Sequence, residues 1–517
     1  MSHTKHAQHS VTIPHSQLYQ GYFGRMFRKL PPAFATDRHF DQPGGLADKL
    51  AAQMSESAAE ASDPSLDNLN VPAGYTYFGQ FVDHDITFDT ISRLDRQNDP
   101  NMLTNFRSPR FDLDNIYGRG PTDHPFMYDQ GRKWRAADDG TYFLRIGKGA
   151  DPREEDLFRN DQGVAIIGDP RNDENIIVSQ IQLTFIKFHN CVMQALEAKN
   201  PQGGEKNYQE AQRIVRWHYQ WVVINDFLRR IVGDVMLDNV APTPDRPDRP
   251  RCHFYCWKNQ PFMPLEFSGA AYRMGHSMVR STYALSDKLE ATRDSADLPK
   301  ISGQIPIFLP QSEHLGDGFD HLRDLRGGLT KSALTPTEKK LPALWSVQWD
   351  RFLEINGSRP QWSRKIDEKL AFGLRAIPAG PGGENLLARL NLIRGWRYGL
   401  PSGQDVACAM GIDPINPDAT DPLWYYILHE AGQTGDDYLG PVGGRVVTEV
   451  FYGLLAGDPS SYLTRCPTWT PWKERVLQIP RAYPDRFELS DIMKFAEMPI
   501  NSADIDAILD RKVKSDE

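Results

Sequence analysis

Residues 78–88, FGQFVDHDITF, set Gln80, Asp83, His84 and Asp85 among the apolar Phe78, Phe81, Val82 and Ile86. Polar groups this dense in an apolar frame need partners, because burying an unpaired charge is costly. On a helix Asp83, His84 and Asp85 project about 100° apart and so serve three different neighbours. A histidine flanked by carboxylates can ligate a metal, act as a general base or sit in a salt-bridge network. In GDPRNDENI, residues 168–176, Arg171 and Glu174 stand three apart just before an apolar periodic segment, where Asp169 or Asn172 can cap a helix. In SPRFDLDNIYG, Ser108, Asp112 and Asp114 place oxygens at alternating positions, as a hard cation such as Ca²⁺ or a plain Asx-turn loop requires. His276, in EFSGAAYRMGHSMVR, has the small or soft neighbours Ala270, Ala271, Gly275 and Met278. That setting suits a satisfied core histidine or the axial ligand of a flat macrocycle. Asn391 and Arg394 accompany an apolar helix in RLNLIRGWRYGLP, where the arginine can pair with a buried carboxylate or a cofactor's.

The elements that must position these groups are mainly helical. Ile177, Ile181, Phe185, Phe188, Val192 and Leu196 recur at steps of three and four and define one buried helical face. Ile214, Trp217, Trp221, Ile224, Leu228 and Ile231 do the same, with Gly233 as the stop, and PQGGEKN between the two reads as a helix–helix loop. Further helices are expected over residues 266–281, around 366–376 and over GGRVVTEVFYGLLAG. APTPDRPDRPR, residues 241–251, must be a surface loop. IPAGPGGENL lacks the Gly-Lys-Ser/Thr ending of a phosphate loop and reads as a turn. There is no βαβ alternation and no internal repeat. The expected organisation is an N-terminal arm of turns over 1–70, one large domain over 71–500 and a tail over 501–517.

The bulk properties exclude several classes. A formal net charge of −9 over 517 residues argues against a general nucleic-acid binder. The five cysteines are too few and scattered for a disulfide framework. Cys252 and Cys256 could supply half a metal site, but no second pair stands near them. His3, His6 and His9 have metal-like spacing in what reads as a polar tail. The first residues lack the apolar core of a secretory leader, and no apolar run approaches a membrane span. The expected setting is cytoplasmic, or exported without a cleavable signal.

Taken together and in order, the segments FGQFVDHD, GDPRNDE, FIKFHN, AAYRMGHSMVR, LNLIR and LGPVGGRVVTEV resemble blocks of the animal haem peroxidase superfamily. The likeness runs from about Val71 to about Leu463, and the cysteine-poor chain is similar to the family's bacterial members. It implies a mainly α-helical haem peroxidase domain with few short strands, binding haem b and Ca²⁺. Under it, His84 matches the distal histidine, Arg171 the distal arginine and Gln80 the distal glutamine. His276 matches the proximal iron ligand, and Asn391 the amide that accepts its other ring N–H. Arg273 and Arg394 match arginines near the haem propionates. Asp83 and Glu174 match the carboxylates that the family joins to haem as esters. Asn175 stands where a third, methionine link would be. Asp85, Ser108, Asp112, Asp114 and the Arg110 carbonyl match the calcium ligands. Trp396-Arg397-Tyr398-Gly399 departs from the family's usual Arg-Asp-His-Gly, and His189 matches a helix-packing position.

The implied activity is oxidation of a small donor (halide, thiocyanate or phenol) by H₂O₂. A fatty-acid dioxygenase of the cyclooxygenase-like branch is the alternative enzyme. That branch needs a tyrosine three residues before the proximal histidine, where this chain has Arg273, with Tyr272 one residue too early. A non-catalytic adhesion or binding protein on the same scaffold is the third reading, against which the joint presence of His84, Arg171, Gln80 and His276 speaks.

Overall fold

Apolar residues spaced three and four apart form most of the helices the sequence implies. The structure, a computed structural model, describes residues 23–87, 108–129, 142–147, 156–258, 260–287, 305–306, 346–375, 386–435 and 437–505. In chain order its helices are α1 (Leu46–Gln53), α2 (Gly74–Ile86), α3 (Asp114–Tyr117), α4 (Ile176–Lys199), α5 (Glu205–Val222), α6 (Arg229–Val240), α7 (Leu265–Gly269), α8 (Leu387–Arg397), α9 (Gly403–Met410), α10 (Leu423–Thr434), α11 (Pro441–Gly457), α12 (Tyr462–Arg465) and α13 (Leu489–Phe495). Strands are short and pair two by two. β1 (Phe23–Gly24) runs parallel to β3 (Met263–Pro264), and β2 (Asp67–Pro72) runs antiparallel to β4 (Trp362–Arg364). The mainly α expectation holds.

Helix α2 is the centre of the bundle. It starts where Gly74 N donates to Phe352 O, and it ends where Thr87, in extended backbone, caps Asp83 O with both its N–H and its hydroxyl. Phe81 lies flat on Phe185 of α4, with ring centroids 4.9 Å apart and planes 9° apart, and Phe78 and Tyr219 complete the cluster. Beyond α5 the chain widens into a π-helical turn, Val223–Leu228, which delivers Phe227 to α2. A Cβ on Gly79 would stand 2.9 Å from the Phe227 ring, so glycine is what allows this approach. The same turn carries the buried Asp226, which accepts from the Tyr75 hydroxyl at 2.7 Å, Leu489 N at 2.8 Å and Arg230 Nε at 2.9 Å.

Helix α4 has the buried face its spacing predicts, and Asn175 caps it by accepting from Val178 N at 2.9 Å. Gly233 breaks the next helix as expected, with φ of 73°, although turns of helix continue to Val240. Three expectations need correction. The helix expected over 266–281 is α7, a break at Ala270, and a separate 3₁₀ segment over Ala271–His276. The helix expected around 366–376 is only a 3₁₀ turn, Phe372–Arg375. Within the arm, Leu46–Gln53 is helical, and Phe23, Phe27, Phe40 and Leu50 share the core with the later residues. Ala47, Leu50 and Ala51 are buried, and the helix packs against α8, a partner far away in the chain. Loop 241–251 is irregular as expected. IPAGPGGENL up to Asn385 and the His3–His9 tail lie outside the described residues, as does the C-terminal tail from 506 on.

Phe185 is fully buried at the crossing of α2 and α4. Phe185→Ala should lower unfolding free energy by about 3–5 kcal/mol, read from urea unfolding followed by circular dichroism.

Candidate functional site

His84 lies on α2 and is only 5% exposed. Its Nδ1 is 2.7 Å from Asn172 Oδ1, in the 3₁₀ turn Pro170–Asp173 that precedes α4. Burial first, and the Arg171 cation second, push its pKa down to about 4. The ring is therefore neutral at physiological pH.

Arg171 stands beside it. Asp169, buried completely, accepts from Arg171 N at 2.9 Å, Nε at 3.1 Å and Nη2 at 2.8 Å. Nη2 also donates to the His84 carbonyl at 3.3 Å and to the Thr87 carbonyl. Burial works against the charge, but Asp169, joined by Asp83 and Glu174, holds the arginine's pKa above its ordinary value. The guanidinium is thus fixed at the C-terminal end of α2, next to the histidine. Asp169 looked like a helix cap in the sequence. It does accept from Arg171 N, but its larger role here is to anchor the guanidinium.

The turn itself is pinned from below. Arg159 forks to Asp173 at 2.7 and 2.8 Å and to Asp156 at 2.8 and 3.2 Å, with every one of these side chains at most 6% exposed. Neither Arg159 nor Asp173 stands out in the sequence, because each is one charge among many. Above the turn, Gln80 donates to Glu174 and accepts from Asn175 Nδ2 at 3.1 Å, and Asp83 accepts from the Thr87 hydroxyl at 3.1 Å. Gln80 and Asp83 are part-exposed and Glu174 is exposed, and the charges of Asp83 and Glu174 act on Arg171.

The second side of the site is the 3₁₀ segment Ala271–His276. Such a helix repeats every three residues, so Arg273 and His276 share a face and Tyr272 does not. Tyr272 is buried, stacks on Phe267 and donates to Gly79 O at 3.2 Å, which ties this segment to α2. Burial, then Arg273 and Arg394, push the His276 pKa down to about 3, so this imidazole is neutral as well. His276 as a whole is half-buried.

Asn391, on α8, meets His276 as expected, but turned the other way. Its Nδ2 lies 2.8 Å from His276 Nδ1, and its Oδ1 takes a 3.4 Å contact from Arg273 Nη1. Arg273 competes for the carbonyl oxygen that the histidine N–H was expected to use. A half-turn of the amide would give Oδ1 to His276 and set Nδ2 against Arg273 Nη1, donor to donor, so the guanidinium would have to draw away. Arg394 follows one helical turn after Asn391 and acts on His276 through its charge.

The acidic loop is brought together in part. Asp85 Oδ1 accepts from Asp114 N at 3.1 Å, and Ser108 Oγ donates to Asp112 Oδ2 at 2.6 Å. Arg110 N donates to Ser108 O at 2.8 Å. Leu113, between two of the aspartates, sits in the left-handed region with φ of 59°. Among the described residues, no three His, Cys, Asp or Glu side chains converge as a ready metal cage. Asp112 Oδ1 is buried with no hydrogen-bond partner, and burial with the neighbouring Asp114 raises this carboxyl's pKa to about 7. His189 is a packing residue: fully buried, it meets the Tyr117 hydroxyl at 3.2 Å and Tyr142 O at 2.9 Å. The five cysteines are free thiols.

Comparison with known proteins follows this geometry. Residues 93–334 match the family model of the animal haem peroxidases. Chorion peroxidase of Drosophila melanogaster is 31% identical over 290 residues, covering 56% of this chain and 31% of that protein. Human thyroid peroxidase is 25% identical over 281 residues, covering 50% of this chain and 27% of its own. The chain thus spans less than a third of the length of these two relatives. Peroxidase A of Dictyostelium discoideum superposes with a TM-score of 0.52 at 14% identity, covering 94% of each chain. A fatty acid alpha-dioxygenase of Oryza sativa superposes with a TM-score of 0.55 at 14% identity, covering 97% of this chain and 87% of its own. At that identity the two structures share the fold and carry no argument about chemistry. The resemblance read from the motifs is borne out: the chain is similar to the animal haem peroxidases over the matched residues.

Arg159→Met would leave Asp156 and Asp173 buried without their cation, and should lower stability by about 3 kcal/mol. Chemical denaturation of wild type and variant in the same buffer measures the difference.

Proposed function

We propose that this chain, similar to the animal haem peroxidases, binds haem through His276 and uses hydrogen peroxide to oxidise a small donor, such as a halide, thiocyanate or a phenol. The observation that carries this reading is the occurrence of two neutral histidines on elements joined by the Tyr272–Gly79 hydrogen bond. One, His84, has a fixed cation beside it, and the other, His276, has an amide behind it.

The residues present fit a haem. A neutral imidazole offers iron a lone pair, and its low pKa keeps protons from competing for it. Ligation through Nε2 requires Nδ1 to keep its proton, and the half-turned Asn391 amide would accept it. Arg273 and Arg394 place two positive charges at this edge, suited to propionates. Asp83 and Glu174 act on Arg171 through their charge and are the carboxylates available for ester links to the macrocycle. Haem, when bound, supplies the redox-active iron that reduces peroxide and regains its electrons from the donor.

The chain's own residues handle the protons and the charge. His84, neutral above about pH 4, takes the peroxide proton and returns it to the departing oxygen, which leaves as water. Arg171, anchored by Asp169, stabilises the negative charge that develops on the peroxide oxygens without having to move. Gln80, held between Glu174 and Asn175, offers a hydrogen-bonding edge to water or a small donor. The dioxygenase alternative lacks support at its key position. Arg273, not a tyrosine, shares the His276 face, and the Tyr272 hydroxyl is engaged by Gly79 O.

Reconstitution with haem should give a Soret band and peroxide-dependent oxidation of bromide, thiocyanate or guaiacol. His276→Ala should lose the band, and His84→Ala should keep it while slowing peroxide consumption by about 10²–10⁴-fold. The wild-type rate should hold level from neutrality down to pH 5 and fall as His84 protonates near pH 4. Oxygen uptake with linoleate and no added peroxide would replace this reading with the dioxygenase.

Calcium is part of the proposal, held by Asp85, Ser108, Asp112, Asp114 and the Arg110 carbonyl. Its support is the buried, unpartnered Asp112 Oδ1 and the mutual repulsion of Asp112 and Asp114. The Asp112 pKa is raised from 3.8 to about 7 by folding, so the unfolded chain releases this proton first. In chelator, Asp112 therefore costs stability increasingly as pH rises through that window. Added Ca²⁺ should raise the thermal midpoint more at pH 7 than at pH 5; equal midpoints with and without Ca²⁺ at pH 7 would remove the ion from the reading.

A further inference from the structure

We infer that Asn172, held by Gln182, is a positioning residue that fixes the His84 tautomer, leaving Nδ1 protonated and Nε2 as the basic nitrogen. The argument starts from a group that has no choice. The Asn115 carbonyl can only accept, and it takes a hydrogen bond from Gln182 Nε2 at 2.8 Å and another from Gly168 N at 3.0 Å. The Gln182 amide is thereby oriented, and its Oε1 points at Asn172. Asn172 Nδ2 donates to that oxygen at 2.7 Å, which turns Asn172 Oδ1 toward His84. An oxygen 2.7 Å from His84 Nδ1 can only accept, so Nδ1 carries the proton.

The opposite tautomer would need both amides turned over, which would bring Gln182 Oε1 against the Asn115 carbonyl at 2.8 Å, acceptor to acceptor. His84 is 5% exposed and Asn172, Gln182 and Asn115 are fully buried, so water does not relieve such a clash. The relay crosses three elements: α2 gives the base, the Pro170–Asp173 turn the amide, and α4 the second amide, with α3 as the backbone anchor. Asn172 follows Arg171 directly, so the turn that places the cation also sets which ring nitrogen is basic. The catalytic consequence rests on the peroxidase reading; the tautomer does not. In that reaction Nε2 takes the proton from H₂O₂ and returns it to the departing oxygen, while Nδ1–H stays on Asn172 throughout.

The test begins on the protein without haem. Long-range ¹H–¹⁵N correlation spectra of ¹⁵N-histidine protein at pH 7, with the signal assigned through His84→Gln, should show a protonated Nδ1 and an unprotonated Nε2. Gln182→Leu frees the Asn172 amide to turn and should give a mixture of the two forms. In the haem-loaded protein Asn172→Leu should slow peroxide consumption by about 10–100-fold. Asn172→Asp keeps an acceptor at Nδ1 but sets its second oxygen against Gln182 Oε1, so it should recover only part of the rate lost in Asn172→Leu while moving the acid limb of the pH profile upward. An Nε2-protonated His84 in the wild type would overturn the inference, as would a Gln182→Leu protein with an unchanged tautomer. The expected tautomer in a protein that never reacts with peroxide would leave the inference standing and sink the peroxidase reading.

Discussion

Everything in the site hangs from α2, and α2 is held by aromatic packing that a single glycine allows. Phe81 stacks on Phe185, and Phe227 reaches the helix over the bare face of Gly79. These contacts set the depth and rotation of the helix to within the tolerance of close-packed rings. His84 then points at the turn before α4, Gln80 and Asp83 stay part-exposed, and Asp85 reaches back to the acidic loop. The Gly79 carbonyl also receives the Tyr272 hydroxyl, so one position of α2 serves both the packing and the joint to the His276 segment.

Around that helix, charge is settled in pairs before it is used. Arg159 spends its fork on Asp156 and Asp173, which makes the turn rigid, and Asp169 neutralises Arg171, which makes a buried cation tolerable. Each pair is satisfied by several hydrogen bonds, the condition under which buried charge persists. The cations around His276 act in the opposite sense. With burial, they hold that ring neutral, the state in which it can bind a metal.

The segment where the family likeness fails has a structural role. Trp396 stacks on Phe40 at 5.6 Å and donates to Phe34 O, and the Tyr398 and Gly399 carbonyls receive Arg25. Glu266, just before the His276 segment, accepts from Met26 N and Phe27 N at 3.0 Å. Residues 396–399 have thus become a dock for the N-terminal residues, which brace the His276 side from behind.

The sequence by itself determined the helical periods of α4, α5 and α11, and also the short polar motifs in which His84, Arg171, His276 and Asn391 stand; the helix α2, in a stretch whose sequence reads as short loops and aromatic-rich segments, came only with the fold. Periodicity and local clustering are properties of neighbours in the chain, so they are legible there. It did not determine the 3₁₀ form of Ala271–His276, the orientation of Asn391 or the helix inside the N-terminal arm, because each depends on a partner far away in the chain. The same holds for the chemistry of His84. Its type and flanking carboxylates left metal ligand, base and salt bridge open. Only the fold decided that it would be buried and neutral, joined through Asn172 and Gln182 to a carbonyl of α3. A proton's position follows from who faces whom at 2.7 Å, and that is a fact of tertiary structure alone.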